Sequence, residues 1–276
     1  VENNLKEGKL SVIRFLVPVK IISFHDLVRG QVKFDAGLMG DIVIAKDLTT
    51  PLYNFSVVVD DFEMNITHVI RGEDHLSNTP KQILLQEALG FTRPAYAHLP
   101  LILGGDRTKL SKRHGDNSVT QFRMQGYLPE AVVNFLVLLG WNPGDNRELF
   151  TLEELVKEFS LEKVHKGGAV FNPKRLDWIN GSYVRKKSLS ELAELCKPYL
   201  GSAGFDVELP LLEKVVSLYQ ERLKKLSEIV ELADFFFKDN LSYPKDILRW
   251  KNYTEKDAQD ALEQCKTIAE SVNAND

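Results

Sequence analysis

Residues 65–103 read as strand, capped helix, strand, and that order restricts the fold more than any other feature of the chain. "NITHVIRG" is rich in β-branched residues. "EDHLSNTPKQILLQEALG" carries helix signals, with Thr79 as N-cap, Pro80 in the first turn, Ile83, Leu84 and Ala88 on an inward face and Gly90 as terminator. "AHLPLIL" supplies the second strand. A βαβ unit demands a parallel sheet, and such sheets bind ligands in a crevice at the carboxyl ends of their strands. "VIRGEDH" leaves one strand end and "GGDRTKLSKR" the next, so two charged clusters fall on that face.

The residues before this unit read as short strands: "LSVIRFLV", "KIISF", "QVKF" and "DIVIAK", punctuated by Gly30, Gly37 and Gly40. "LYNFSVVVDDFEM" fits strand or helix, because a short apolar run has no decisive period. After Val119 the character becomes helical. "LPEAVVNFLVLLGW" has Pro129 near its start and Gly140 at its end, "TLEELVKEF" places Thr151 and Glu154 at capping-box spacing, and "NPKRLDWING" has Asn172 as cap and Gly181 as stop. From Ser188 onward amphipathic helix patterns follow one another without a strand run, which predicts a separate all-helical domain with a boundary near residues 187–190.

The 276 residues suffice for two or three domains, and 43% hydrophobic with 27% charged content is that of a soluble globular protein. No apolar run reaches the roughly 18 residues of a membrane span. Cys196 and Cys265 stand far apart, so neither a disulfide framework nor a zinc site is indicated, and a reducing cytoplasm is the expected location. His68 and His75 flank a strand end, but no Cys or acid cluster completes a metal site around them. The formal net charge of −4 argues against indiscriminate nucleic-acid binding. Yet from Lys163 to Lys187 seven Lys or Arg face a single acid, Asp177. That stripe is either a solvated face or a local dock for a polyanion.

The cluster Lys109, Lys112 and Arg113 follows an apolar strand and the pair Gly104–Gly105, which leaves the backbone able to bend. Lysine is a compact charge on a flexible stem, suited to following a phosphate through a reaction. The order of a Walker loop is absent, and K-x-S-K-R alone is a weak pattern. In its surroundings, however, "KLSKR" resembles the Lys-Met-Ser-Lys-Ser signature of class I aminoacyl-tRNA synthetases. The wider match is to glutamyl-tRNA synthetases of bacterial type. "YNFSVVVDDFEMNITHVIRGEDHLSNTPKQILLQEALG", "AHLPLIL", "KLSKRHGDNSV", "GYLPEAVVNFLVLLGW" and "FNPKRLDWINGSYVR" follow that family's pattern in order, from about Val12 to about Arg185.

The resemblance implies α/β plus all-α architecture: the second half of a Rossmann-type class I synthetase catalytic domain (1–118, including the end of its insertion), a stem-contact region (119–188) and a helical anticodon-binding domain, expected to be incomplete (189–276). It implies ATP-dependent activation of L-glutamate to glutamyl-adenylate, with Mg2+ accompanying ATP, and transfer of the glutamyl group to tRNA(Glu). Lys109, Ser111, Lys112 and Arg113 would form the signature loop, with Lys112 the main ATP-phosphate contact and Asp74 an acid near the ATP. Tyr53 and Arg71 would hold glutamate, an arginine fork being able to grip a carboxylate bidentately. Lys163, Lys166, Lys174, Arg175 and Arg185 would meet tRNA. A monomer without membrane contact is expected for the complete protein.

The family's His-Ile-Gly-His-type motif occurs nowhere in the sequence, and Leu52 stands where the family usually has Thr. The chain is therefore expected to be a piece of the enzyme, inactive alone. A glutamyl-queuosine-type paralogue would normally lack the helical domain of residues 190–276. A non-catalytic tRNA-binding or regulatory relative would lack the same motif.

Overall fold

The computed structural model describes residues 12–111, 113, 115, 118–238, 244–248 and 251–272. Strands β1 (Ile13–Phe15) and β4 (Ile42–Ala45) pair as an antiparallel ribbon, while β2 (Ile21–Asp26) and β3 (Gly30–Asp35) form an antiparallel hairpin. Helix α1 (Tyr53–Glu63) is the segment whose period was ambiguous. Phe55, Val58 and Phe62 lie on one helical face, Val58 is buried, and Phe62 stacks on Phe91 at 3.9 Å between ring centroids.

Next comes β5 (His68–Gly72), then α2 (Thr79–Leu89) and β6 (Ala95–Leu99). The two strands are parallel, with Val69 opposite Tyr96 and Arg71 opposite His98. Asp26 pairs with Tyr96, which attaches the hairpin to β6 and gives the order β3-β2-β6-β5. The expected βαβ unit is thus present. Strand β7 (Ile102–Leu103) continues from β6 and pairs in parallel with the later β8 (Ala169–Val170).

The remaining elements are helical: α3 (Val119–Gln125), α4 (Pro129–Leu138), α5 (Leu152–Glu158), α6 (Pro173–Val184), α7 (Leu189–Ser202), α8 (Leu209–Tyr219), α9 (Glu228–Ala233) and α10 (Glu255–Ser271). Thr151 and Glu154 close a capping box on α5, and the Asn172 side chain accepts from the backbone of Lys174 and Arg175 at the start of α6. One apolar core runs through this half, from Phe122 and Phe135 by way of Leu176 and Ile179 to Leu212, Leu223 and Ile229. Residues on both sides of position 188 therefore share that core.

Two helix-end expectations are corrected. Thr79 does not cap α2: the N-cap is Asn78, and Thr79 is fully buried, its hydroxyl spent on His98 and Arg71. Gly181 does not stop α6, which continues to Val184. Its missing side chain serves packing instead, since a Cβ there would lie 3.3 Å from the Leu223 carbonyl oxygen and 3.6 Å from Lys224 Cα. Gly126 makes a closer approach. It ends α3 at φ +86°, and a Cβ would lie 2.5 Å from the Ser227 nitrogen.

The sheet face beneath α2 changes character along its length. At one end Ile22, Phe24 and Tyr96 pack against Ile83 and Leu84 of α2. Two residues further along the same strands, the side chains are Asp26, His98 and Arg71, meeting Thr79 and Gln82. The strand alternation that puts apolar residues on this face also puts these polar ones there, at the carboxyl ends.

Candidate active site

Arg71 is the hub of the polar end. Its Nε donates to His98 Nε2 at 3.2 Å, and its Nη2 donates to Thr79 Oγ1 at 2.9 Å and Gln82 Oε1 at 2.8 Å. Among the described residues Nη1 makes no hydrogen bond. The two-pronged grip expected of this arginine is therefore limited. Nε and Nη2 are engaged by the protein, and the Nη1 edge is what remains for a ligand.

Behind Arg71 lies a fully buried pair. His98 Nδ1 donates to Asp26 Oδ2 at 2.6 Å, and Asp26 Oδ1 accepts from the backbone nitrogens of Val28, Arg29 and His98 at 3.0, 2.8 and 3.2 Å. Burial alone would push the Asp26 carboxyl up, but the N–H donors of Arg29, His98 and Val28 outweigh it and hold it below the ordinary value. Burial holds the His98 imidazole below its ordinary value, with Arg71 and Arg29 acting in the same direction against the Asp26 carboxylate. A neutral imidazole protonated on Nδ1 fits its neighbours: Nδ1–H donates to the carboxylate, and the Nε2 lone pair faces Arg71 Nε–H and the Thr79 hydroxyl, the latter at 3.0 Å.

The other candidates stand at the start of α1 and on the segments that follow β5 and β7. Tyr53 Oη lies 3.5 Å from His75 Nδ1, and Asp74 Oδ2 accepts from Lys109 Nζ at 2.5 Å. Lys109 arrives there by a hydrogen-bonded turn, in which Gly104 N donates to Thr108 O, Arg107 N donates to Gly104 O, and Leu110 N donates to Ile102 O. That hydrogen bond from Lys109 is the main reason the Asp74 carboxyl sits below its ordinary value. Glu73 buttresses the same strand end by accepting from the Leu101 backbone at 3.1 Å and pairing with Arg29. The structure thus brings Asp74 and Lys109 together, with Tyr53 beside His75 and Arg71 on the adjoining strand. Ser111 is half-buried and Arg113 exposed; Lys112 and His114 lie outside the described residues.

The basic stripe is largely engaged with the protein itself. Lys163 donates to the Pro143 carbonyl at 2.9 Å, Lys166 to the Arg29 carbonyl at 3.2 Å, Arg175 to Glu148 at 2.9 Å and Arg185 to Ser182 Oγ at 3.1 Å. Lys187 bridges Glu130 and Glu191. Lys174 is exposed in the first turn of α6.

Sequence reasoning missed Asp26, His98, Thr79 and Gln82. The signal available was a histidine and a glutamine at positions where the strand and helix patterns call for apolar residues.

The fold sets a polar crevice at the carboxyl ends of a parallel strand pair beside a helical half, and comparison with known proteins gives the family. The family of class I tRNA synthetases (E and Q), catalytic domain, matches residues 1–178, and the anticodon binding domain matches residues 191–276. The chain belongs to the class I tRNA synthetases of the E and Q group. It is 49% identical over 252 residues to the glutamate–tRNA ligase of Carboxydothermus hydrogenoformans, covering 89% of this chain and 52% of that one. It is 48% identical over 267 residues to that of Heliobacterium modesticaldum, covering 94% and 53%. A crystal structure of a glutamate tRNA ligase from Elizabethkingia meningosepticum in complex with its amino acid superimposes with TM-score 0.80 at 33% identity, covering 99% of this chain and 58% of that chain. The chain spans about half the length of the curated relatives it matches. No described helix is long and apolar enough to cross a membrane.

The buried pair predicts how stability responds to acid. With its pKa lowered in the fold, His98 contributes stability that is present above its unfolded value of about 6.5 and is lost as pH falls toward the lowered folded value. Asp26 behaves likewise at lower pH, its contribution being present above about 3.9 and lost below that. The urea midpoint of this chain should therefore fall between pH 7 and pH 5, and the fall should be smaller in His98→Gln. An equal fall in both proteins would show that His98 is not held neutral.

Proposed function

We propose that this chain is the part of a glutamate–tRNA ligase that holds one side of the glutamate site and the nucleotide-closing loop, together with the surfaces that meet tRNA(Glu). The observation carrying the proposal is the placement of Arg71 at the carboxyl end of a parallel strand, with Asp74 paired to the first lysine of the signature loop beside it. A fixed arginine suits an amino-acid carboxylate, and a loop of cations suits the triphosphate.

In this reading Arg71 and Tyr53 hold L-glutamate, and Lys109, Ser111, Lys112 and Arg113 close over MgATP, the magnesium entering with its nucleotide. Asp74 occupies Lys109 until the nucleotide arrives. The glutamate carboxylate oxygen then attacks the α-phosphorus, the bond to pyrophosphate breaks, and Lys112 stabilises the charge gathering on the leaving group. The glutamyl group passes afterwards to the terminal adenosine of tRNA(Glu). We assign residues 1–118 to the second half of the catalytic domain, 119–188 to the stem-contact region and 189–276 to anticodon binding. The complete protein is proposed to be a cytoplasmic monomer.

The test is glutamate-dependent ATP–pyrophosphate exchange in a protein of the relatives' full length containing this chain. Lys112→Ala should slow adenylate formation by roughly 10²–10³-fold, the usual loss for one preorganised charge contact in a transition state, with glutamate KM little changed. Arg71→Ala should instead raise glutamate KM. Unchanged exchange in both variants would contradict the assignment.

For tRNA, we propose that Lys163, Lys166, Lys174, Arg175 and Arg185 line the backbone-contacting face. Each phosphate contact releases counterions and steepens the salt dependence of binding. Replacing Lys174 and Arg175 by Ala should weaken tRNA binding and flatten the plot of log affinity against log salt, leaving adenylate formation intact where activation does not require tRNA. An unaltered slope would leave the stripe with only the intramolecular contacts it already makes.

A further inference from the structure

We infer that the buried Asp26–His98 pair is a positioning device for Arg71, setting which edge of its guanidinium is left to face the amino-acid substrate. This deepens the glutamate reading and rests on it. Three observations carry the inference. Asp26 is saturated by the backbone nitrogens of Val28, Arg29 and His98, so its second oxygen is directed at His98 Nδ1 at 2.6 Å. A carboxylate at that nitrogen requires a proton on Nδ1, which leaves Nε2 with a lone pair. That lone pair lies 3.2 Å from Arg71 Nε, on the residue directly opposite in the parallel ladder, and 3.0 Å from the Thr79 hydroxyl, so Arg71 and Thr79 share it.

Thr79 and Gln82 then take the two hydrogens of Nη2, at 2.9 and 2.8 Å. Three fixed partners on two elements, β6 and α2, stop the guanidinium from rotating, and all three hold its Nε–Nη2 edge. Were His98 protonated on Nε2 instead, its hydrogen would go to Thr79 Oγ1, Arg71 Nε–H would lose its acceptor, and one of the three holds on the fork would be released. The carboxylate chemistry of the substrate would then meet a different edge or none. Asp26, from a hairpin outside the βαβ unit, thereby bears on substrate recognition without touching the substrate.

The direct test needs only this chain. The nitrogen NMR signals of His98 should show Nδ1 protonated and Nε2 bare at neutral pH, and the opposite tautomer or an imidazolium would overturn the inference. The functional test uses protein of the relatives' full length and amide substitutions that divide the two nitrogens. His98→Asn keeps a donor near Asp26 but loses the acceptor for Arg71. His98→Gln places an amide oxygen near the Nε2 position and keeps it.

Loss of a hydrogen bond to a charged group should raise glutamate KM in His98→Asn by roughly 10- to 100-fold. ATP KM should stay near wild type, and most of the glutamate effect should be recovered in His98→Gln. Thermal midpoints of both variants provide the control, since a merely structural role would make KM follow stability and not the position of the acceptor. Equal rises in the two variants, or a wild-type glutamate KM in His98→Asn, would overturn the inference. Arg71→Ala measured alongside separates the two levels. If it raises glutamate KM while His98→Asn does not, positioning fails and the glutamate reading survives. If Arg71→Ala itself leaves glutamate KM unchanged, both fall.

Discussion

The hydrogen bond between Asp26 and His98 is the interaction on which the candidate site depends. Both side chains are fully buried, where an unpaired carboxylate would be expensive and an unpaired imidazole costly. Asp26 avoids that penalty by accepting three backbone N–H groups as well as the imidazole. Two of those backbone donors come from its own hairpin turn and one from β6, so the carboxylate also fastens β2 to β6 beyond their brief ladder. Structural and chemical roles coincide here: the pair that fixes the sheet also leaves His98 Nε2 available to Arg71.

The parts of the fold that were legible in the sequence are those written in local chemistry. Pro80, Gly90 and the β-branched run before them mark a βαβ unit whatever the rest of the chain does, and the Thr151–Glu154 capping box and Asn172 behave as their side chains dictate. Thr79 and Gly181 were misread because a Thr before Pro and a Gly after an apolar stripe have two uses each. A buried hydroxyl at a site outcompetes a cap, and a close helix–backbone approach outcompetes a stop. Neither alternative is visible without the element that arrives from elsewhere in the chain.

The candidate site divides the same way. The charged clusters that hold Arg71, Asp74 and Lys109 stand out at strand ends in the sequence, and the family resemblance supplied the roles expected of them. Their partners were less legible, because Asp26 and His98 are 72 residues apart and a polar residue inside a strand pattern does not name the partner it will meet. The stripe from Lys163 to Lys187 shows the reverse error of scale. It looks cationic in sequence, but Glu148 and Glu130 from earlier segments, with Glu191 just beyond its end, neutralise part of it in space.

The central claim is that Arg71, with its Nε–Nη2 edge held by His98, Thr79 and Gln82, presents Nη1 to a substrate carboxylate. The most direct measurement is a crystal structure of a protein of the relatives' full length containing this chain, with L-glutamate bound. The account predicts a glutamate carboxylate oxygen within hydrogen-bond distance of Arg71 Nη1, while Nε remains on His98 and His98 on Asp26. Glutamate seated away from Arg71, or a carboxylate that has taken Nε from His98, would contradict it.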